Sequence, residues 1–147
     1  PSHVFDQQTM IITDHDMSRN EAIDMLIHKL KICRYVEHTS HLKNAILERE
    51  MESTTAIGMN VAIPHAKSDV VKQPIVAVMK NNHGVKWESL DGSLPQLIFL
   101  IAVPNNSQDT HLKILQRLSK ALMNDETRQS LINANSTKEI YNLLMKI

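Results

Sequence analysis

The chain has 147 residues, 42% of them hydrophobic and 22% charged, enough to bury one sizeable core and too few for two independent ones. Lys plus Arg and Asp plus Glu stand at 16 each, so there is no basic excess to neutralise a phosphate backbone, which speaks against nucleic acid as a partner. The single cysteine, Cys33, excludes an internal disulfide framework and a cysteine-rich zinc site, and reads as a small hydrophobe on a helix. No stretch approaches the roughly 18 apolar residues of a membrane span, and the opening "PSHVFDQQTM" carries no leader pattern. The expectation is one domain over residues 1–147, soluble and cytoplasmic, with no insertion into a membrane.

In chain order, "MIIT" is a candidate first strand. At "SRNE" a helix begins: Ser18 caps, Glu21 reaches back three residues later, and Ala22, Ile23, Leu26, Ile27 and Leu30 form an apolar face ending near Cys33. The spacing predicts a second helix across "SHLKNAILERE", with Thr39 or Ser40 at its start, Leu42, Ala45 and Ile46 inward, and Arg49 at its C-terminal end. The middle then changes character. "VAIP", "PIVAVMK", "GVKW" and "PQLIFLIAVP" are short apolar or β-branched runs parted by the turn-forming "NNHG" and "SLDGS", and they read as strands. Leu97–Val103 contains no polar residue, as a central strand buried on both faces requires. Past "NNSQDT", the segment "HLKILQRLSKALM" sets Leu112, Leu115, Leu118 and Leu122 on one stripe; "DETRQSLINA" follows, and "STKEIYNLLMKI" opens with a second capping box, Ser136 and Glu139. The fold class is α/β, an α+β sandwich: a mixed sheet with antiparallel pairs across its short turns, flanked by helices.

Among eight histidines, His3, His15, His28 and His83 occupy terminal, turn-like or polar contexts where a solvated ring is the default. His38 and His41 have a metal-compatible spacing but no matching third ligand nearby. His65 differs because Ile63-Pro64 ends a strand and aims the next side chain outward; a ring that simply tops the strand and bonds a carbonyl is the plain alternative. His111 follows Asp109 and Thr110, plausible capping residues, in the first turn of a helix, where a neutral imidazole donating to an anion would suit the dipole better than an imidazolium.

Nucleotide-binding glycine loops, a kinase signature and a G-x-S-x-G elbow are all absent from the sequence. Imidazole nitrogen is a good nucleophile towards phosphorus and is mostly neutral near pH 7. A phosphoryl dianion held there would need a guanidinium and hydrogen-bond donors, and Arg49, Thr55 and His111 are of the right types.

"LEREMESTTAIGMNVAIPHAKSDVVKQPIVAV", "GVKWESLDG", "LIFLIAVP" and "HLKILQRLSKAL", in that order, resemble the fructose/mannitol-type enzyme IIA domains of the bacterial phosphoenolpyruvate-dependent sugar phosphotransferase system, most strongly over residues 47–122. The resemblance implies a mixed sheet of about five strands and a phosphotransferase working with no metal or organic cofactor. It implies that His65 accepts the phosphoryl group from phosphorylated HPr and passes it to a cysteine of an enzyme IIB domain during sugar uptake. The family's arginine falls on Arg49, its second histidine on His111 and its threonine on Thr55.

Ala56, Asn60 and Ala66 stand where the family usually has glycine. Asparagine tolerates positive φ, whereas a Cβ at residues 56 and 66 is expected to hinder close approach of backbone N–H groups to a phosphate. Two other functions compete: a regulatory enzyme IIA-like module whose phosphorylation state controls a transcription regulator or an enzyme, and a metal-dependent hydrolase using His65 and His111. The second lacks a carboxylate-histidine motif of suitable spacing.

Overall fold

The computed structural model describes residues 4–107 and 109–147. Its elements are β1 (Phe5–Thr13), α1 (Arg19–Ile32), α2 (Thr39–Glu52), β2 (Ala56–Gly58), β3 (Val61–Ala62), β4 (His65–Lys67), β5 (Ile75–Asn81), β6 (Leu97–Val103), α3 (Thr110–Leu122), α4 (Asp125–Ile132) and α5 (Thr137–Leu144). The sheet runs β1-β5-β6-β3-β2, with β4 also paired to β6. It is mixed, as expected: β5–β6 and β2–β3 are antiparallel, while β1–β5, β3–β6 and β4–β6 are parallel.

Every residue of β5 and β6 is buried, because helices cover both faces. On one face Ile23, Leu26, Leu42 and Ile46 from α1 and α2 pack with Ala77, Met79, Ile98 and Leu100. On the other, Leu118, Leu122, Leu131 and Ile140 from α3, α4 and α5 pack with Val76, Val78, Phe99 and Ile101. The period of two along each strand sends alternate side chains to opposite cores. None of the helices among the described residues is long and apolar enough to cross a membrane.

The capping box at α1 forms in both directions, Glu21 N–H to Ser18 Oγ at 3.2 Å and Ser18 N–H to Glu21 Oε1 at 2.9 Å, and Cys33 is the half-buried C-cap. Elsewhere the expectations need correction. Helix α2 starts at Thr39 as expected, but its N-cap is His38 and no side chain caps it. At α5, Ser136 Oγ accepts from Glu139 N–H, but the Glu139 carboxylate returns to Asn135 N–H, one residue earlier than a capping box requires. Leu112 is 56% exposed and off the inward stripe. "GVKW" is not a strand. Val85 and Trp87 are buried and Lys86 exposed, the right alternation. Yet Lys86 meets only a loop, through an isolated bridge to Ser18, so no ladder can propagate.

The region before His65 is built differently from expectation. Six strands replace about five because one strand alongside β6 is cut in two at Ile63-Pro64. Proline has no N–H to give to a ladder, although the Pro64 carbonyl still accepts from Ile101 N–H at 2.9 Å. The chain therefore does not leave the sheet at His65 but resumes pairing there, His65 opposite Ile101. Upstream, Gly58 pairs with Val61 across a two-residue turn in which Met59 and Asn60 both have positive φ, 56° and 64°, the pattern of a type I′ hairpin. Asp91 holds this turn, accepting from Met59 N–H and Ser93 N–H at 2.9 Å each, while Ser93 Oγ accepts from Asn60 N–H at 3.0 Å. The hydrogen bonds that Asp91 accepts, from Met59 N–H first and then from the Ser93 hydroxyl and N–H, keep its carboxyl well below the usual carboxylate range.

Gly58 sits at φ +102°, and a Cβ there would lie 2.7 Å from Asp91 Oδ2. Gly58→Ala should destabilise the protein by about 1–2 kcal/mol for the backbone conformation alone. Thermal unfolding should show a midpoint lower by roughly 2–4 °C per kcal/mol; an unchanged midpoint would contradict this account of the turn.

Candidate functional site

His65 opens β4 on the α3 face of the sheet. Its neighbour in the ladder, Ile101, belongs to the core under α3, whereas Ala66 belongs to the core under α1 and α2. The half-buried ring sends Nδ1 to the Ile63 carbonyl at 2.8 Å. A carbonyl only accepts, so Nδ1 carries the hydrogen, and Nε2 is left with the lone pair. Across from it, His111 sits one residue inside the start of α3, its ring centroid 4.8 Å from that of His65 at an interplanar angle of 59°. His111 Nε2 is buried without a hydrogen-bond partner among the described residues. A buried polar atom left in this state is uncommon, and a water, an ion or a reacting group can supply the missing partner. The N-cap of α3 is Asp109, whose side chain makes no capping hydrogen bond, and the Thr110 N–H donates to the Ser107 carbonyl at 3.0 Å.

Arg49 lies in the last turn of α2 and donates from a guanidinium nitrogen to the Ser53 carbonyl at 2.9 Å. Its charge reaches both rings. Burial, then the carbonyl of Ile63 acting the other way, then Arg49 leave the His65 pKa lowered from its ordinary value. His111 is pushed down to about 4, by burial first, then by repulsion from the charge that His65 carries once protonated, and then by Lys67 and Arg49. Both rings are therefore neutral near pH 7. Two neutral imidazoles and a guanidinium share this site, with one nucleophilic nitrogen, and the carboxylates of Glu50 and Glu52 act on His65 more weakly than Arg49 does. Hollows of about 1100 Å³ beside Phe5 and Tyr35 and about 420 Å³ between Ile114 and Leu144 include none of His65, His111 or Arg49. His65 itself opens β4, a short strand whose one strand partner among the described residues is β6.

Of the residues expected from sequence, the structure brings His65 and His111 together and puts Arg49 within electrostatic reach. Thr55 is elsewhere. It is 2% exposed, and its N–H and hydroxyl both donate to the buried Glu50 carboxylate. It meets His65 only through the backbone, Ile63 N–H donating to the Thr55 carbonyl at 3.0 Å. Ala56 and Ala66 also behave differently from expectation, since both Cβ atoms point into the core under α1 and α2, on the face away from His65. Asn60 does adopt the positive φ that glycine would have allowed. The sequence reading missed Glu50. It continues the Leu42, Ile46 stripe at a spacing of four, and a charged residue on an inward stripe is the signal that was there to be used.

His15, His28 and His83 are exposed, and His3 lies outside the described residues. His38 and His41 are exposed with ring centroids 5.5 Å apart. Among the described residues, no group of three or more His, Cys, Asp or Glu side chains is placed to hold a metal ion.

Residues 3–147 match the family described as phosphoenolpyruvate-dependent sugar phosphotransferase system, EIIA 2. The fructose-specific EIIA component of Haloferax volcanii is 33% identical over 130 residues, covering 88% of this chain and 84% of that protein. The fructose-specific EIIABC component of Bacillus subtilis is 36% identical over 143 residues; they make up 92% of this chain but only 22% of that much longer protein. In fold, the chain is similar to the nitrogen regulatory protein IIA-Ntr of Neisseria meningitidis, with a TM-score of 0.89, 24% identity and 97% of each chain covered. The protein is thus a phosphotransferase component, a carrier of phosphoryl groups. It belongs to the EIIA 2 family of the sugar phosphotransferase system.

The two histidines set a direction for pH dependence. An unfolded histidine titrates near 6.5, whereas folded His111 does so at about 4. As pH falls between these values the unfolded chain takes up a proton that the folded chain refuses, so this stability is complete above about pH 6.5 and is lost towards pH 4. Chemical denaturation across that window should show stability falling with pH, less steeply in His111→Gln. Equal slopes in the two proteins would contradict the neutral, half-buried His111.

Proposed function

We propose that this chain accepts a phosphoryl group on Nε2 of His65 from phosphorylated HPr and hands it to a cysteine of an enzyme IIB domain, as one step of sugar uptake. The observation that carries this reading is the His65 Nδ1 hydrogen bond to the Ile63 carbonyl at 2.8 Å, which reserves Nε2 for the nucleophile, beside a second neutral ring 4.8 Å away. In the first step the Nε2 lone pair forms a bond to phosphorus as the donor's P–N bond breaks, and the donor imidazole leaves with its electron pair. His65 keeps its Nδ1 hydrogen throughout, and the Ile63 carbonyl stabilises the positive charge that the phosphorylated ring acquires. In the second step a thiolate sulfur attacks phosphorus, the P–N bond breaks and His65 returns to neutral.

Little covalent work falls to the rest of the protein. The moving dianion must be held in line and its charge matched. Arg49 suits the equatorial oxygens, since a guanidinium offers a fork of donors and stays charged at any working pH. His111 would donate from a neutral ring, which suits the positive end of the α3 dipole better than an imidazolium would. A depressed His65 pKa keeps the nucleophile available below the pH at which free imidazole would be protonated.

An enzyme IIB partner is supported by the Bacillus relative, whose name places A, B and C components in one chain. Fructose is the first sugar to test, because both relatives carry it in their names. Passage of label to an IIB cysteine separates this reading from the regulatory one, in which phosphorylation goes no further.

With phosphoenolpyruvate, enzyme I and HPr, the wild-type protein should acquire an acid-labile phosphoryl group that maps by mass spectrometry to His65, and His65→Ala should acquire none. His111→Ala should still be labelled but should pass label to IIB on the order of 10²-fold more slowly, the effect of losing one donor to the transferred group. Labelling of His65→Ala would sink the assignment of the nucleophile; wild-type transfer by His111→Ala would remove His111 from the site.

A further inference from the structure

A carboxylate lies behind the site and has no part in the transfer just derived. Glu50 is 6% exposed, directed inward on the same stripe of α2 as Leu42 and Ile46. Three donors converge on it: Thr55 N–H at 3.2 Å, the Thr55 hydroxyl, and the Trp87 indole Nε1–H at 3.3 Å. Each donor comes from outside α2. Thr55 precedes β2, and Trp87 belongs to the long connection between β5 and β6.

The position of Glu50 in the chain gives this clamp a consequence for chemistry. Successive residues of an α-helix point about 100° apart, so a residue locked inward sets the direction of its neighbour. That neighbour is Arg49. The same clamp reaches the nucleophile, because Thr55 is joined to His65 by two hydrogen bonds in series: Ile63 N–H to the Thr55 carbonyl at 3.0 Å and His65 Nδ1 to the Ile63 carbonyl at 2.8 Å. One buried side chain is thus tied to the guanidinium through the helix and to the imidazole through the strand. A buried carboxylate is costly to desolvate and is often replaceable by apolar packing; in this place its accepting oxygens do what an apolar side chain could not. Its charge also raises the His65 pKa, a weaker influence there than burial, the Ile63 carbonyl or Arg49.

We propose that Glu50 is a positioning residue for phosphoryl transfer: its carboxylate, gripped by Thr55 and Trp87, fixes the last turn of α2 so that Arg49 faces the nucleophilic nitrogen of His65. This rests on the reading of His65 as the phosphoacceptor. Glu50→Gln keeps the length but turns one oxygen into a donor facing donors, Glu50→Asp keeps the charge but shortens the reach, and Trp87→Phe removes one donor alone. Since Trp87 is the only tryptophan, its indole N–H resonance reports on the clamp directly.

In the labelling assay both Glu50 variants should lose about tenfold to hundredfold in kcat while KM for phosphorylated HPr changes less than about threefold, the pattern of misplaced transition-state groups in an otherwise folded protein. Trp87→Phe should lose kcat in the same way but to a smaller extent, and carries the kinetic test if a Glu50 variant fails to fold. The indole N–H of the wild type should be protected from hydrogen exchange, and Glu50→Gln should lose that protection. Wild-type kcat in the variants, a loss confined to KM, or full rescue by Glu50→Asp would each overturn the proposal, the last by showing that charge and not position matters. Unchanged exchange in Glu50→Gln would overturn it as well. Labelling of His65→Ala would overturn the phosphoacceptor reading itself; no label there, with wild-type kcat in the Glu50 variants, would overturn the Glu50 proposal alone.

Discussion

The hydrogen bond between His65 Nδ1 and the carbonyl two residues back is the interaction on which the rest of the site depends. An imidazole has two nitrogens of similar basicity, and without a fixed acceptor either can carry the hydrogen. By fixing Nδ1–H, the Ile63 carbonyl leaves a single nitrogen with a lone pair and a single direction of attack. That geometry follows from the local sequence. Pro64 interrupts the ladder along β6, so the backbone between Ala62 and His65 is released from strand geometry just long enough for a carbonyl to meet the ring that follows it.

Electrostatics then make the vicinity ready for an anion without making it a cation sink. Arg49 is permanently charged, and a protonated histidine beside it would be repelled. Burial and that repulsion act together on His65 and His111, lowering both. The result is two neutral rings among fixed charges: Arg49 acts on both, Lys67 on His111, and Glu50 and Glu52 oppose Arg49 at His65. In the proposed transfer, a dianion on His65 would meet attraction from the guanidinium and hydrogen bonding from His111, whose buried Nε2 otherwise has no partner among the described residues. Neither ring must shed a proton first, so the site does not reorganise before transfer.

Much of this could be read in the sequence, and the gaps have physical causes. The first helix and its cap were legible because Ser18 and Glu21 act within one turn, and β6 because a run of seven apolar residues between Pro95 and Pro104 is too short for a buried helix and reads as an interior strand. His65 was legible from the proline before it. What could not be read were long-range pairings. The alternation of Val85, Lys86 and Trp87 is that of a strand, and only the absence of a strand partner makes it a loop. Thr55 has the right chemistry for a phosphate, but its donors are taken by Glu50, five residues earlier on α2. The roles of Ala56 and Ala66 turned on which face their Cβ atoms take, a property of register and not of residue type.

The connection of residues 82–96 shows why such pairings matter for function. It braces the segment leading to His65 at both ends. At the turn, Asp91 and Ser93 hold Met59 and Asn60 in a conformation that costs an L-residue about 1–2 kcal/mol. At the start, the Leu90 N–H donates to the Ala56 carbonyl at 3.1 Å, the Thr54 hydroxyl donates to the Glu88 carbonyl at 2.5 Å, and Trp87 reaches Glu50. A hairpin this short, on the edge of the sheet and strained at its turn, would not hold a carbonyl steady by itself. Held at both ends by one loop, it becomes a rigid support for the Ile63 carbonyl, and the orientation of the His65 ring is set by residues more than twenty positions away in sequence.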